Sequence, residues 1–532
     1  MSTTSKRTRT LAVRQSHHGC YTCKDRKVKC DEAKPSCLRC IRAGRLCEGY
    51  PNRDLPHETK AAYSPIQIHL PHELAIRVSS PGSTSDSCRF SKLGCELLRG
   101  GSLRGSAKTA PFWNSLLPQL AFSDCGIHNA TAALGAAAQL QVQRDDKAAV
   151  ALLRWYGKAV TQVQKQLTAK NIDSNSIPAT CLLLAFVDLF AGRELQALAH
   201  FQGFVALLLH RSGSGDRAIS TSPPQTPPTP NKDETPRFVA SDGLDYAALV
   251  LDVNIASYVL STGPRLPPIS THSNPYSHTT TDPESLALQT LHASYVFAST
   301  ASQYKYLPSS LRPTSLSIDQ SRHVARLHHT IAQTTTLASH SSGRTQTRAL
   351  VLNTHAKSCL IYLSTLVSPY EKSYDAYTNI FASILADAEV ILSQDQQNRP
   401  PAQTSLPIPF TPDLGPAQPL FLTALKCRVP FIRQRAIHLL KQTGRDGPFD
   451  GRRAAGIAAR AAEIEASESE SQVPEERRLH GCGAEPAAAR AGVVGVMFSL
   501  CEDVEGLVGA GESGGVGEGR WWRIWREEVR FG

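Results

Sequence analysis

Six cysteines near the N-terminus are the residues whose type and spacing most clearly suggest chemistry. They follow the pattern C-x2-C-x6-C-x6-C-x2-C-x6-C, which is one unit written twice, at Cys20, Cys23, Cys30, Cys37, Cys40 and Cys47. Two cysteines separated by two residues can turn both thiolates toward one ion, as in many zinc sites. Two separate four-thiolate sites would need eight cysteines. Six cysteines fit either one zinc ion with two cysteines spare or two zinc ions that share two bridging sulfurs.

Positive charge is concentrated in the same part of the chain. Residues 1–47 contain twelve Lys or Arg residues and three Asp or Glu residues, so they carry nine of the eleven net positive charges of the chain. The rest of the chain is close to neutral. A basic segment of this kind predicts a polyanionic partner, and it places the surface that faces that partner at the N-terminus.

The cysteines also bear on the compartment. Six of the 14 cysteines lie in this short window, and no apolar run follows the charged N-terminal start, so we expect no secretory signal. Clustered cysteines in a reducing compartment more often hold metal than pair as disulfides.

The longest apolar run, Cys181–Phe190, is interrupted by Asp188. It is shorter than the roughly 20 residues that span a bilayer, so no membrane segment is expected.

The cysteine pattern resembles that of the fungal zinc binuclear cluster transcription regulators. That family also shows the basic run over residues 24–29 and a loop proline, here Pro35. The resemblance implies zinc as cofactor, with two ions per cluster and with Cys20 and Cys37 as the bridging ligands. Cys23 and Cys30 would then complete one site, and Cys40 and Cys47 the other.

The same resemblance implies double-stranded DNA as partner. Lys27, with Arg26 beside it, is expected to contact bases, and such contacts favour the O6 and N7 acceptors of guanine in CGG-type triplets. Four further side chains are expected to anchor phosphates: Lys24, Lys29, Arg39 and Arg42. The implied function is a sequence-specific DNA-binding transcription factor for RNA polymerase II genes, located in the nucleus. The alternative is a zinc-containing adaptor that acts only through protein contacts.

The helical periodicity along the chain predicts a mainly α protein with a large, irregular all-α domain. The resemblance implies that a small two-zinc cluster with two short helices precedes this domain. Residues 1–19 are expected to be a basic disordered arm, and residues 20–47 the cluster. The prolines and serines of residues 48–107 predict a disordered linker. Residues 108–532 form the helical domain, with a disordered Pro/Ser/Thr insertion at residues 212–237.

Apolar residues at helical spacing predict the helices of this domain. The stretch Pro178–His210 is too apolar for a solvated helix and predicts a buried pair of helices broken near Gly192. Trp521, Trp522 and Trp525 are expected to belong to a docked terminal helix, with an exposed partner anchor as the alternative. Further helices are predicted over Ala130–Gln143, Ala148–Leu167, Leu244–Leu260, Glu284–Ala298, Ser317–Leu337, Thr347–Leu366, Tyr374–Ser393, Ala417–Lys441, Arg452–Ala466 and Ala487–Val508.

A second resemblance covers parts of the helical region. Ala133–Ala136, Cys181–Gly203 and Leu425–Leu440 resemble the fungus-specific regulatory domain that accompanies many zinc clusters. This implies regulation, self-association as a homodimer, or contact with transcriptional co-regulators. Three arginines, Arg428, Arg433 and Arg435, are expected to form salt bridges on a helix face, with binding of an acidic ligand as the alternative.

Enzyme motifs are absent or incomplete in the sequence. Gly509, Gly511 and Gly514 fit G-x-G-x-x-G, but they follow a helical pattern and no βαβ unit can be completed after them. The sequence contains neither G-x-x-x-x-G-K-[ST] nor G-x-S-x-G. We therefore predict no catalytic residues and no enzymatic activity.

Overall fold

The computed structural model describes most of the helical region and a few residues of the cysteine segment. The described residues are 23, 28–32, 84–101, 105–142, 145–169, 175–215, 242–258, 263–267, 282–397, 409–466, 473–485, 492–513 and 521–531. Two compact units are distinguished, one of residues 71–504 with 523–532 and one of residues 1–70 with 505–522. The predicted arm, residues 1–19, lies outside the described residues, as does most of the predicted insertion at residues 212–237.

The first part of the larger unit consists of helices. The predicted Ala-rich helix over Ala130–Gln143 is confirmed, since the helix Cys125–Val142 covers all of this range but its last residue. Most of its side chains from Ile127 to Gln139 are buried. Asp145 caps the next helix by accepting the backbone N–H of Lys147 at 2.9 Å, which stabilises the helix start. The helices are α1 Thr84–Gly101, α2 Leu117–Ser123, α3 Cys125–Val142, α4 Asp146–Thr168, α5 Ser176–Phe190, α6 Glu194–Gly215 and α7 Gly243–Tyr258. A π-helical turn, Phe112–Leu116, precedes α2.

Helix α1 lies inside the predicted linker, so the linker prediction of residues 48–107 is wrong for residues 84–101. The helix packs on α3 at two glycines. A Cβ added to Gly94 would lie 2.1 Å from the carbonyl oxygen of Thr131, and one added to Gly135 would lie 2.0 Å from that of Phe90. Phe90 and Leu98 are buried in this contact. Prolines and serines suggested a linker here, but glycines at the contact permit close approach of two helix backbones.

The predicted buried pair of helices is confirmed. Helices α5 and α6 pack against each other, and the chain turns between them at Gly192, whose φ is +71°. Glycine adopts this left-handed conformation without the steric cost that a Cβ would impose. Buried Asp188 pairs with Arg193 across the turn at 2.7 Å and accepts a hydrogen bond from the Tyr156 hydroxyl. The turn is therefore held by an ion pair as well as by its apolar helices.

The second part of the larger unit contains helices and, in addition, short strands. The predicted helix over Ala417–Lys441 is two helices, because Pro430 cannot continue the first of them and instead opens the second. The helices are α8 Pro283–Ala301, α9 Ser315–Ser339, α10 Gly343–Thr365, α11 Thr378–Gln397, α12 Ala417–Lys426, α13 Pro430–Thr443 and α14 Gly451–Glu465. Helix α15, Val504–Ser513, belongs to the smaller unit except for its first residue. The strands are β1 Phe410–Thr411, β2 Arg445–Asp446, β3 Phe449–Asp450, β4 Leu479–Ala484, β5 Val493–Cys501 and β6 Trp522–Arg530.

Two three-stranded sheets form from these strands, in the orders β1-β2-β3 and β4-β5-β6. Strand β4 runs antiparallel to β5, with Cys482 opposite Phe498. The helix predicted over Ala487–Val508 is therefore wrong for residues 493–501, where Val494, Val496 and Phe498 are buried at a spacing of two. A mainly α protein is nevertheless confirmed, since helices make up most of the described residues.

Two of the three tryptophans near the C-terminus belong to a strand and not to the expected terminal helix, and Trp521 directly precedes this strand. Strand β6 contains Trp522 and Trp525, and the ring of Trp525 stacks on that of Phe498 at 5.7 Å between ring centroids. Val529 is buried in the same apolar cluster as Val494. The alternation of partly buried and exposed residues along β6 is the period of a strand with one solvated face.

No helix among the described residues is both long enough and apolar enough to cross a membrane.

Candidate functional site

The cysteine segment is described at two of its six predicted zinc ligands. The side chains of Cys23 and Cys30 are buried, with exposed fractions of 0% and 4%. Cys23 has helical backbone, and its carbonyl oxygen accepts the N–H of Val28 at 3.1 Å. This hydrogen bond joins the backbone of Cys23 to that of Val28, two residues before Cys30. Cys20, Cys37, Cys40 and Cys47 lie outside the described residues.

The environment of Cys30 suits a metal-bound thiolate. Its Sγ accepts the backbone N–H of Glu32 at 3.4 Å, and Glu32 has the left-handed φ of +62°. A non-glycine residue with this conformation is uncommon, and here it directs an N–H group at the sulfur. Hydrogen bonds to a ligand sulfur stabilise its negative charge and orient it. The two described cysteines thus fit the ligands of a zinc cluster, although no group of three or more metal-binding side chains occurs among the described residues.

Lys29 is the one predicted DNA-contacting residue that the structure describes, and its side chain is exposed. An exposed lysine one residue before a buried cysteine is free to reach a phosphate. Lys24, Arg26, Lys27, Arg39 and Arg42 lie outside the described residues, so their roles stay predictions.

The second concentration of charged groups is buried in the helical domain and centres on Glu371. Its carboxylate contacts Lys426 Nζ at 2.7 Å, Lys305 Nζ at 3.1 Å and Arg428 Nη2 at 3.5 Å. Burial alone would raise the pKa of Glu371, but the three cations outweigh burial and hold that pKa well below its ordinary value. Burial lowers the pKa of neighbouring His480 to about 4, so the imidazole is neutral near pH 7.

Glu465 continues this network. Arg428 donates to Glu465 Oε1 at 2.9 Å, and Arg433 pairs with Glu465 Oε2. The backbone N–H of Leu479 also donates to the carboxylate, at 2.7 Å. We call the set of Lys305, Glu371, Lys426, Arg428, Arg433 and Glu465 the buried ionic network. Its side chains come from four separate parts of the sequence, and they connect helices α12 and α14 with strand β4.

The prediction that the three arginines form salt bridges is confirmed, but only Arg435 does so at the surface. Arg435 pairs with Glu389 at 2.7 Å, and both side chains are about two-fifths exposed. Arg428 and Arg433 are buried. Glu371 and Glu465 could not be identified from the sequence, because an isolated glutamate carries no local signal. The cluster of basic residues near position 428 indicated that acidic partners would lie nearby in the folded chain, but not which residues they would be.

Comparison with known protein families identifies two domains in the chain. Residues 18–56 match the fungal Zn(2)-Cys(6) binuclear cluster domain, and residues 105–241 match the fungal specific transcription factor domain. The first match contains all six cysteines, and the second contains the glycine contact of α3 and the α5–α6 pair. No solved structure was found to match the chain.

Relatives are found among fungal transcription regulators. An aspercryptin biosynthesis cluster-specific transcription regulator of Emericella nidulans is 28% identical over 232 residues, which are 39% of this chain and 37% of that protein. The transcriptional regulatory protein moc3 of Schizosaccharomyces pombe is 37% identical over 76 residues, 14% of this chain and 15% of that protein. The lysine biosynthesis regulatory protein of Saccharomyces cerevisiae is 46% identical over 44 residues, 8% and 6% of the two chains. The chain thus spans well under half the length of these relatives.

The cysteine segment and the first part of the helical region thus match two domains whose descriptions are those of fungal transcription regulators. The resemblance predicted from the cysteine pattern is confirmed by these two matches and by the relatives, which are named as transcription regulators. The prediction that it is not an enzyme is confirmed by these matches. Zinc binding follows from the first domain.

Proposed function

We propose that the chain is a nuclear, sequence-specific DNA-binding regulator of RNA polymerase II genes that reads CGG-type triplets. The observation that carries this proposal is the coincidence, within residues 1–47, of the six-cysteine pattern and nearly all the excess positive charge of the chain. A zinc module that contacted only protein would not require this concentration of basic residues. The family match over residues 18–56 supports the same conclusion.

The six cysteines hold two zinc ions in this proposal, with Cys20 and Cys37 as bridging ligands. The burial of Cys23 and Cys30 supports the ligand set. Two zinc ions and six thiolates together carry two negative charges, so residues 1–47 retain an excess of about seven positive charges when loaded. DNA binding releases counterions and should therefore weaken steeply as salt concentration rises.

Base reading and phosphate anchoring are assigned to different residues. Lys27, with Arg26, contacts guanine, whereas Lys24, Lys29, Arg39 and Arg42 contact the backbone. The exposure of Lys29 supports its share of this assignment. Self-association of the helical domain as a homodimer, and its contact with co-regulators, would set the spacing of the sites that are read.

A pair of lysine variants tests the proposal. Lys27→Ala is expected to lower affinity for a CGG-containing duplex by roughly ten- to a hundredfold, because one base contact is worth about 1–3 kcal/mol. Lys29→Ala is expected to weaken specific and unrelated duplexes equally and to reduce the salt dependence by about one ion. Fluorescence anisotropy at several salt concentrations measures both effects.

Zinc content of both variants serves as the control and should equal that of the unaltered chain. Unchanged discrimination between the CGG duplex and an unrelated duplex in Lys27→Ala would refute the assigned reading residue. If the unaltered, zinc-loaded chain showed no preference for any duplex, the adaptor alternative would be supported instead.

Metal removal provides a separate prediction. A segment as short as residues 20–47 cannot build a hydrophobic core, and structural zinc supplies on the order of 10 kcal/mol of apparent folding energy. A strong chelator is therefore expected to abolish DNA binding and to unfold this segment, while the far-ultraviolet helical signal of the large domain persists. Hydrogen exchange with verified metal content measures the local change. Ordered, DNA-binding protein after complete zinc removal would contradict the cluster.

A further inference from the structure

A cavity of about 510 Å³ lies in the larger unit, beside the buried ionic network. Helices α6, α7, α10, α12 and α14, strands β3 and β4, and the residues that follow α8 contribute to its wall. Cavities of this size accommodate small organic ligands. Small residues explain the open space, because Ala454 and Ala461 on α14 and Gly481 on β4 leave the gap between these elements unfilled.

The wall of the cavity is mostly apolar and aromatic. Leu366, Phe421, Leu422 and Phe449 line it, together with the ring of Tyr362. The Phe421 and Phe449 rings meet at 6.5 Å between centroids in a T-shaped arrangement. When an apolar ligand displaces water from an apolar surface of this kind, the transfer is favourable in free energy.

Two cationic side chains on the lining have hydrogen-bonding capacity that the described residues do not use. Lys305 donates one hydrogen bond to Glu371, which leaves two N–H groups of its ammonium for another acceptor. Arg453 pairs with Glu194 through Nη1, but its buried Nε and Nη2 atoms have no hydrogen-bond partner. Arg453 is 9% exposed. Buried donors without partners cost free energy that a bound acceptor would recover.

The charge balance around the cavity favours an anion. The buried ionic network contains four cations, Lys305, Lys426, Arg428 and Arg433, and two carboxylates. Glu475 adds a third carboxylate by accepting the backbone N–H groups of Glu371 and Lys372. Arg453 and Glu194 offset each other, as do Arg445 and Asp450. One positive charge thus remains uncompensated, and a buried charge is costly unless it is paired.

We propose that this cavity binds a small amphipathic monoanion, with its carboxylate at Lys305 and its apolar body against Phe421 and Leu422. Carboxylates of aliphatic and of aromatic acids share this chemistry. A ligand held between α12, α14 and β4 would stabilise the packing of these elements. This inference goes beyond the proposed function, because it concerns a second site in the helical domain and requires no DNA.

Binding of decanoate and of 1-decanol to the full, zinc-loaded chain tests the proposal. The two probes have the same apolar chain and differ in the charge of the head group. Isothermal titration calorimetry is expected to show saturable decanoate binding that is roughly tenfold or more tighter than decanol binding, because hydrogen bonds to a charged group contribute about 1.5–3 kcal/mol. Decanoate is also expected to raise the melting temperature.

Variants at Lys305 locate the site. Lys305→Met should lower decanoate affinity roughly tenfold or more and leave decanol binding unchanged, whereas Lys305→Arg should retain decanoate binding. Lys441→Met makes the same substitution on the exposed surface of α13 and should change nothing. Equal affinity for both probes, no saturable decanoate binding, or decanoate binding unaffected by Lys305→Met would overturn the proposal. If a variant misfolds, the comparison of decanoate and 1-decanol binding to the unaltered chain still tests the proposal. DNA affinity does not enter these readouts, so their failure leaves the proposed function untouched.

Discussion

Replacing Glu371 with glutamine is expected to lower the free energy of unfolding of the helical domain by about 3–5 kcal/mol. Glutamine has nearly the same shape as glutamate but no charge. The change therefore leaves the partly buried ammonium groups of Lys305 and Lys426 without their anion and leaves Arg428 with Glu465 alone. Because the carboxylate is fully buried, water cannot replace it. Urea unfolding of the full chain, followed by circular dichroism at 222 nm, measures the loss.

Glu389→Gln is the matched control for this prediction. It breaks the ion pair between Glu389 and Arg435, in which both side chains are about two-fifths exposed. Exposed ion pairs contribute at most about 1 kcal/mol, since water screens both charges. If the two variants lost similar stability, the buried ionic network would not have the energetic role that its burial implies.

Replacing Gly135 with alanine is expected to destabilise the domain by about 3 kcal/mol or more, although alanine is the better helix former. The new Cβ would lie 2.0 Å from the carbonyl oxygen of Phe90. That oxygen belongs to the backbone of α1 and cannot move without moving the helix. The helices α1 and α3 must then separate, which loosens the packing of Phe90 and Leu98. Thermal and urea unfolding measure this change.

Gly157→Ala provides a control of opposite sign. Gly157 lies inside α4, and a Cβ at this position would meet no atom within 4 Å. Alanine there reduces the entropy of the unfolded chain and should stabilise the protein by about 0.5–1 kcal/mol. Loss of stability in Gly157→Ala, or none in Gly135→Ala, would show that the close crossing of α1 and α3 does not determine the outcome.

The features that could be predicted from the sequence depend on local patterns. Six cysteines at fixed spacing indicate metal binding whatever the rest of the fold. The helical periodicity of residues such as Trp155 and Ala159 follows from one face of one helix. The break at Gly192 was also local, because a single glycine between two apolar runs permits the turn that the structure contains.

Features that depend on distant residues could not be predicted in the same way. The prolines and serines of residues 48–107 predict a linker, whereas the contact that makes residues 84–101 a packed helix depends on the backbone of α3, which is remote in sequence. The sequence predicts a helix where strand β5 lies, because the alternation of buried residues in this strand is brief. Its pairing with β4 depends on both strands and cannot be predicted from the sequence of either one alone. The partners of Lys426 and Arg428 were missed because Glu371 and Glu465 are remote in sequence and carry no motif.

Lys426 has a consequence beyond charge balance. Its ammonium donates to the carbonyl oxygens of Leu479 and His480 at 3.1 and 3.0 Å, at the start of β4. Strand β4 is an edge strand of the sheet β4-β5-β6 and has β5 as its neighbour within that sheet. Exposed carbonyls along such an edge are a template on which a strand of another chain can pair. By donating to both carbonyls, the lysine joins the end of α12 to the start of β4, so a strand of another chain could pair at this point only by displacing it.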